Sequence, residues 1–140
     1  MELTPSAALT DPTVTGSGRL PGRTQAVPYP DLDGARGAAS SPWWASLDGQ
    51  WRFELLDGPH ALSAEMVDAS TDDSDWATIE VPGAWTLQPA GSTDRPHYTN
   101  VIMPFDLEPP AVPEHNPTGV YRRTVTVPRA WKGRRVVLRV

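Results

Sequence analysis

The chain has 140 residues, a formal charge of −5, six tryptophans, sixteen prolines and no cysteine. That length suits one domain. Net negative charge without a basic stripe argues against nucleic acid as a partner, because little is available to replace the phosphate counterions. The absence of cysteine excludes disulfides, thiol catalysis and cysteine-bound zinc.

Residues 1–12 carry Glu2 and Asp11 and lack a basic start followed by an apolar run, so no signal peptide is expected. No stretch approaches the ~18 apolar residues of a membrane helix, and a soluble, cytoplasmic protein without membrane contact is the expectation. Residues 1–42 are rich in Thr, Pro, Gly, Ala and Ser, with single apolar residues and no period. Such a segment buries too little surface to offset its ordering entropy, which predicts an extended or disordered arm.

Ordered structure is predicted from about residue 43. After the turn at Leu47-Asp48-Gly49, the run Gln50-Trp51-Arg52-Phe53-Glu54-Leu55 alternates. Trp51, Phe53 and Leu55 share one face, as in a half-buried antiparallel strand. Residues 57–75 read as a loop with at most a short helix near Ala61–Val67. Asp72, Asp73 and Asp75 sit together there, and a solvated turn is favoured over a cation site because no other ligand chemistry lies near. Trp76–Val81 predicts a second strand, stopped by Pro82-Gly83.

The stretch from His97 to Tyr121 holds Pro104, Pro109, Pro110, Pro113 and Pro117, which forbid a helix or a central strand. It is also rich in large apolar groups, unlike a disordered linker: Tyr98, Val101, Ile102, Met103, Phe105, Leu107 and Val112. A long, stiff, apolar loop is either a functional loop on a scaffold or a wrapper over a sheet edge. A strand then runs to Val127 with Tyr121, Arg123, Val125 and Val127 on one face. Arg134–Val140 starts a further strand, in which the chain stops. The basic residues Arg122, Arg123, Arg129, Lys132, Arg134, Arg135 and Arg139 read as a solvated face.

Four or five short strands predict an all-β fold, an incomplete antiparallel β-sandwich. Residues 43–140 form that domain, and a strand cut at its end is expected of a truncated piece. Most tryptophans are expected in core packing rather than on a sugar-binding surface. His60, His97 and His115 have no metal spacing, and no GxSxG, phosphate loop or carboxylate pair is visible. From the residues alone, no catalytic group and no metal site is assigned.

Leu47-Asp48-Gly49-Gln50-Trp51-Arg52-Phe53 resembles the L-N-G-x-W-x-F opening of glycoside hydrolase family 2, with Asp48 in place of Asn. Asp73-Ser74-Asp75-Trp76, Ile79-Glu80-Val81-Pro82 and Trp85 resemble the same family's D-S-x-W…I-x-V-P-x-x-W signature. Tyr98-Thr99-Asn100-Val101, Pro104-Phe105, Pro109-Pro110, Val112-Pro113 and Asn116-Pro117-Thr118-Gly119-Val120-Tyr121 resemble its long β-galactosidases. His97 departs from the apolar residue often found there, and Met103 replaces a common Tyr.

The resemblance implies a jelly-roll (galactose-binding-domain-like) sugar-binding domain at the N-terminus of an enzyme that hydrolyses terminal β-D-galactosides such as lactose with retention. Retaining chemistry uses two glutamates, expected from a (β/α)₈ barrel that this chain lacks, as do most ligands of the implied magnesium and sodium ions. No cofactor is expected in this chain itself. Asn100 is the position implied to reach the substrate; its amide, donor and acceptor at once, suits a sugar hydroxyl. Tyr98 and Thr99 are implied supports, and bonding of Asn100 to loop backbone is the alternative. The expected partners are a β-galactoside, the remaining domains and further copies in a homo-oligomer. Alone, the chain is expected neither to hydrolyse galactosides nor to fold stably. The competing expectation is a stand-alone carbohydrate-binding or interaction module.

Overall fold

The computed structural model describes residues 10–16, 18–37, 40–100, 105–108 and 110–139. Val101, Ile102, Met103, Pro104, Pro109 and Val140, which figure in the expectations above, lie outside the described residues, as does Glu2. The chain divides into two compact units, residues 1–20 with 48–123 and residues 21–47 with 124–140.

The first unit is built on a three-stranded antiparallel sheet of β1 (Gly49–Leu56), β2 (Ala77–Val81) and β3 (Thr118–Arg122), in the order β2-β1-β3. This agrees with an all-β fold. Trp51 faces Ile79 on β2, and Phe53 faces Ala77 on β2 and Tyr121 on β3. Opposite residues share a face, so Trp51, Phe53, Ile79, Tyr121 and Gly119 lie together. Phe53 is 0% and Ile79 1% exposed, and the Trp85 and Tyr121 rings pack on Phe53 at centroid distances of 6.2 and 4.9 Å. Burial also pushes the Tyr121 phenol pKa up. Gly119 makes this stacking possible, since a Cβ there would lie 2.8 Å from Phe53 and 3.2 Å from the Trp85 ring.

The other face is not uniformly polar. Leu56 and Val120 are buried on it, while Arg52, Glu54 and Arg122 are half-buried. The alternation of β1 therefore marks two covered faces rather than one. The outer edge of β2 is occupied by a side chain: Glu80 N–H donates to Gln88 Oε1, and Gln88 Nε2 donates to the Glu80 carbonyl, both at 2.9 Å. Among the described residues no strand pairs with this edge of β2, and the amide takes that place at Glu80.

The loop after β1, with at most a short helix expected near Ala61–Val67, holds two separate 3-10 turns, Pro59–Ala61 and Glu65–Val67, with Leu62 in extended backbone between them. Two expectations need correction. The strand expected to run to Val127 ends at Arg122, and Val125 and Val127 are 49% and 51% exposed. Residues 134–139 are not a strand either, and Leu138 is 67% exposed. Apolar alternation marks a face suited to cover, but a strand also needs a ladder partner, and among the described residues these segments have none.

In the second unit, α1 (Leu32–Arg36) is capped by Asp31, whose carboxylate accepts from Gly34 N–H at 2.7 Å. Trp131 donates its indole N–H to the Pro42 carbonyl at 2.8 Å, and Arg134 lies 4.0 Å over the Trp43 ring. Similar pairs in the first unit are Arg122 with Trp76 at 5.6 Å and Arg123 with Trp51 at 5.9 Å. Part of the basic cluster is therefore stacked on tryptophans, not spread as a solvated face. The tryptophans themselves are half-buried apart from Trp44, which is 57% exposed, so the expected core packing holds only in part.

Candidate functional site

The candidate site is the described part of the stretch between Arg95 and His115 (residues 95–100, 105–108 and 110–115), and the first unit ties it down at both ends. At its first foot, Trp85 donates its indole N–H to Asp94 Oδ2 at 2.7 Å, and Asp94 N–H bonds the Gly91 carbonyl at 3.0 Å. Gly91 is buried against Trp85, where a Cβ would come within 2.5 Å of the Trp85 carbonyl oxygen. At its second foot, Asn116 N–H bonds the Asp57 carbonyl at 3.0 Å, and His115 Nδ1 lies 2.5 Å from Asp57 Oδ1. Asp57 directly follows β1, so the sheet carries this foot as the half-buried Trp85 carries the other.

Asp57, His115 and Pro117 from one foot and Thr93 and Asp94 from the other line one open cavity of about 230 Å³, together with Leu55 and Leu56. Loop ends tied at one place shorten the span the chain must close and reduce its freedom. Further along, the His97 ring meets Phe105 at 5.7 Å and 49°, and Ala111 N–H bonds the Glu108 carbonyl at 3.0 Å.

Tyr98, Thr99 and Asn100 are exposed, with Thr99 and Asn100 in a turn. Tyr98 is 76% exposed, and Phe105, Leu107 and Val112 present further apolar surface. An exposed amide is both a hydrogen-bond donor and an acceptor, and an exposed aromatic ring offers a flat apolar face.

The carboxylates are structural. Asp73 accepts from Arg122 Nε at 2.9 Å and lies 3.9 Å from Arg52. Arg122 Nη1 also donates to the Met66 and Asp68 carbonyls at 2.8 Å, which fastens the loop after β1 to β3. Asp72 accepts from Ser74 N–H at 3.0 Å. The group of Asp72, Asp73 and Asp75 is thus a hydrogen-bonded turn tied to arginine. Among the described residues, no group of three or more His, Cys, Asp or Glu side chains is placed to hold a metal ion, and no helix is long and apolar enough to cross a membrane. Sequence reasoning singled out Asn100 but missed Asp57 and Asp94, and passed over His115 as a lone histidine. No spacing marks them, since His115 and Asp57 are 58 positions apart.

Residues 44–140 match the family described as glycosyl hydrolases family 2, sugar binding domain. The chain is 49% identical over 89 residues to a beta-galactosidase of Psychromonas ingrahamii, covering 64% of this chain and 8% of that protein. It is 42% identical over 102 residues to a beta-galactosidase of Photobacterium profundum, covering 73% of this chain and 10% of that protein. A beta-galactosidase of Aeromonas hydrophila is 37% identical over 123 residues, covering 84% of this chain and 12% of that protein. The chain therefore spans roughly a tenth of the length of these curated relatives.

Proposed function

This chain belongs to the sugar-binding domain family of the family 2 glycosyl hydrolases, and from that premise we propose that it is the N-terminal part of a β-galactosidase. The observation that carries the reading is the match of residues 44–140 to that domain, joined to identities of 37–49% with beta-galactosidases roughly ten times longer. In this reading residues 43–140 are part of a jelly-roll sandwich whose remaining strands lie outside the described sheet, and residues 1–42 are an arm that serves assembly into a homo-oligomer.

The complete enzyme hydrolyses terminal β-D-galactosides with retention, by an acid/base and a nucleophilic glutamate from another domain. The same holds for most ligands of the magnesium and sodium ions implied for it. What this chain contributes is Asn100, whose amide hydrogen-bonds a hydroxyl of the bound galactose, with Tyr98 and Thr99 shaping the turn behind it. The exposure of all three supports an outward-directed role. Isolated 1–140, with four buried apolar side chains among the described residues, is expected to be inactive and to melt without cooperativity.

The test is hydrolysis by the complete enzyme of nitrophenyl β-galactoside, β-glucuronide and β-mannoside. The reading expects kcat/KM for the galactoside to exceed the others by at least about tenfold. Equal or reversed preference would remove the galactosidase assignment and leave the family.

A further inference from the structure

We propose that Asp94, with the Asp57–His115 contact opposite, acts as a positioning clasp that sets where the Asn100 turn stands during the reaction. The proposal rests on the reading that Asn100 touches the substrate. The Trp85 ring is fixed against Phe53 and Gly119, and its half-buried indole N–H is a single donor with Asp94 as its 2.7 Å acceptor. A carboxylate accepting that bond is charge-assisted and directional, so Trp85 dictates where the loop begins. Across the same cavity, Asp57 takes the Asn116 N–H and meets His115 where the loop ends. Between these feet the chain shows proline-rich connection and no strand or helix among its described residues. The position of its turn is therefore inherited from the feet. An amide aimed at a hydroxyl tolerates little displacement, and errors near 1 Å can cost as much as about a hundredfold in rate.

Asp94→Ala, Asp94→Asn, His115→Ala, Asn100→Ala and the double variants Asp94→Ala/Asn100→Ala and His115→Ala/Asn100→Ala would be made in the complete enzyme and assayed on nitrophenyl β-galactoside. Asp94→Ala is expected to lower kcat/KM about tenfold. Asp94→Asn, whose amide oxygen still accepts the indole N–H, is expected to stay within about threefold of the parent. In the Asn100→Ala background, Asp94→Ala is expected to change kcat/KM by less than about twofold, because the group it positions is gone. A tenfold loss that persists in that background would overturn the proposal and make Asp94 a general support of the fold. An unaltered Asp94→Ala beside an impaired Asn100→Ala would overturn it too, leaving the substrate contact standing. A silent Asn100→Ala would instead remove the substrate contact, and the proposal with it. If Asp94→Ala does not fold, His115→Ala carries the test, since its side chain is 74% exposed. Its expected loss of about threefold must likewise vanish when Asn100 is Ala.

Discussion

The two faces of the β2-β1-β3 sheet are covered by different physics. One is closed by aromatic packing, with Phe53 and Ile79 out of solvent and the Trp85 and Tyr121 rings packed on Phe53. The other buries Leu56 and Val120, and is fastened nearby by Arg122, whose guanidinium gathers Asp73, the Met66, Asp68 and Thr71 carbonyls and the Trp76 ring. Apolar burial is non-directional and holds elements together; a guanidinium fork fixes which loop lies where. The aromatic face also supports the first foot of the Arg95–His115 loop through Trp85, whereas the arginine orders the loop from Met66 to Asp73.

That difference can be broken by mutation. Phe53→Ala is expected to cost about 3–5 kcal/mol, the largest effect, because it removes a fully buried ring and leaves a cavity. The shift in the denaturation midpoint of the complete enzyme checks it. Arg122→Met keeps the stem and removes the donors. It is expected to cost about 2–3 kcal/mol by stranding the Met66 and Asp68 carbonyls and Asp73, with faster proteolysis between residues 66 and 73 as its local signature. Arg122→Lys restores the charge but not the fork and should recover only part of that loss. Asp73→Asn, at a site 31% exposed, is expected to cost about 1 kcal/mol or less.

The smallest effect is that of pH. The Ser70 hydroxyl and N–H hold the Asp68 carboxyl below its ordinary 3.8, and the Ser74 N–H and hydroxyl do the same for Asp72. A folded-state pKa below the unfolded one adds stability that is fully present above 3.8 and disappears as pH falls through the folded value. Thermal midpoints should therefore be insensitive to these two groups near neutrality and fall only in acid below about pH 4.

Much of the sheet was legible because it is local. The alternation of β1 and β2 and the stop at Pro82-Gly83 lie within short windows, and the observed strands fall within a residue or two of the expected ones. The end of β3 was not legible, since Val125 and Val127 carry the right pattern but lack a ladder partner among the described residues. Arg122 was read as one of a solvated set because its partners lie 49 to 56 positions away. Asn100 came from motif resemblance, whereas the feet that hold its loop are pairings of Asp57 with His115 and of Trp85 with Asp94. The first pairing joins residues 58 positions apart, and the second, nine positions apart, follows from the 3-10 turns after Ala84 rather than from any period in the sequence.

The central claim, that this loop belongs to the substrate pocket, is tested most directly by kcat/KM of the Asn100→Ala enzyme on nitrophenyl β-galactoside. The account predicts a loss of at least about tenfold, about 1.4 kcal/mol of transition-state stabilisation, with the melting temperature unchanged. A kcat/KM equal to that of the parent would contradict it and leave the loop as a brace between domains.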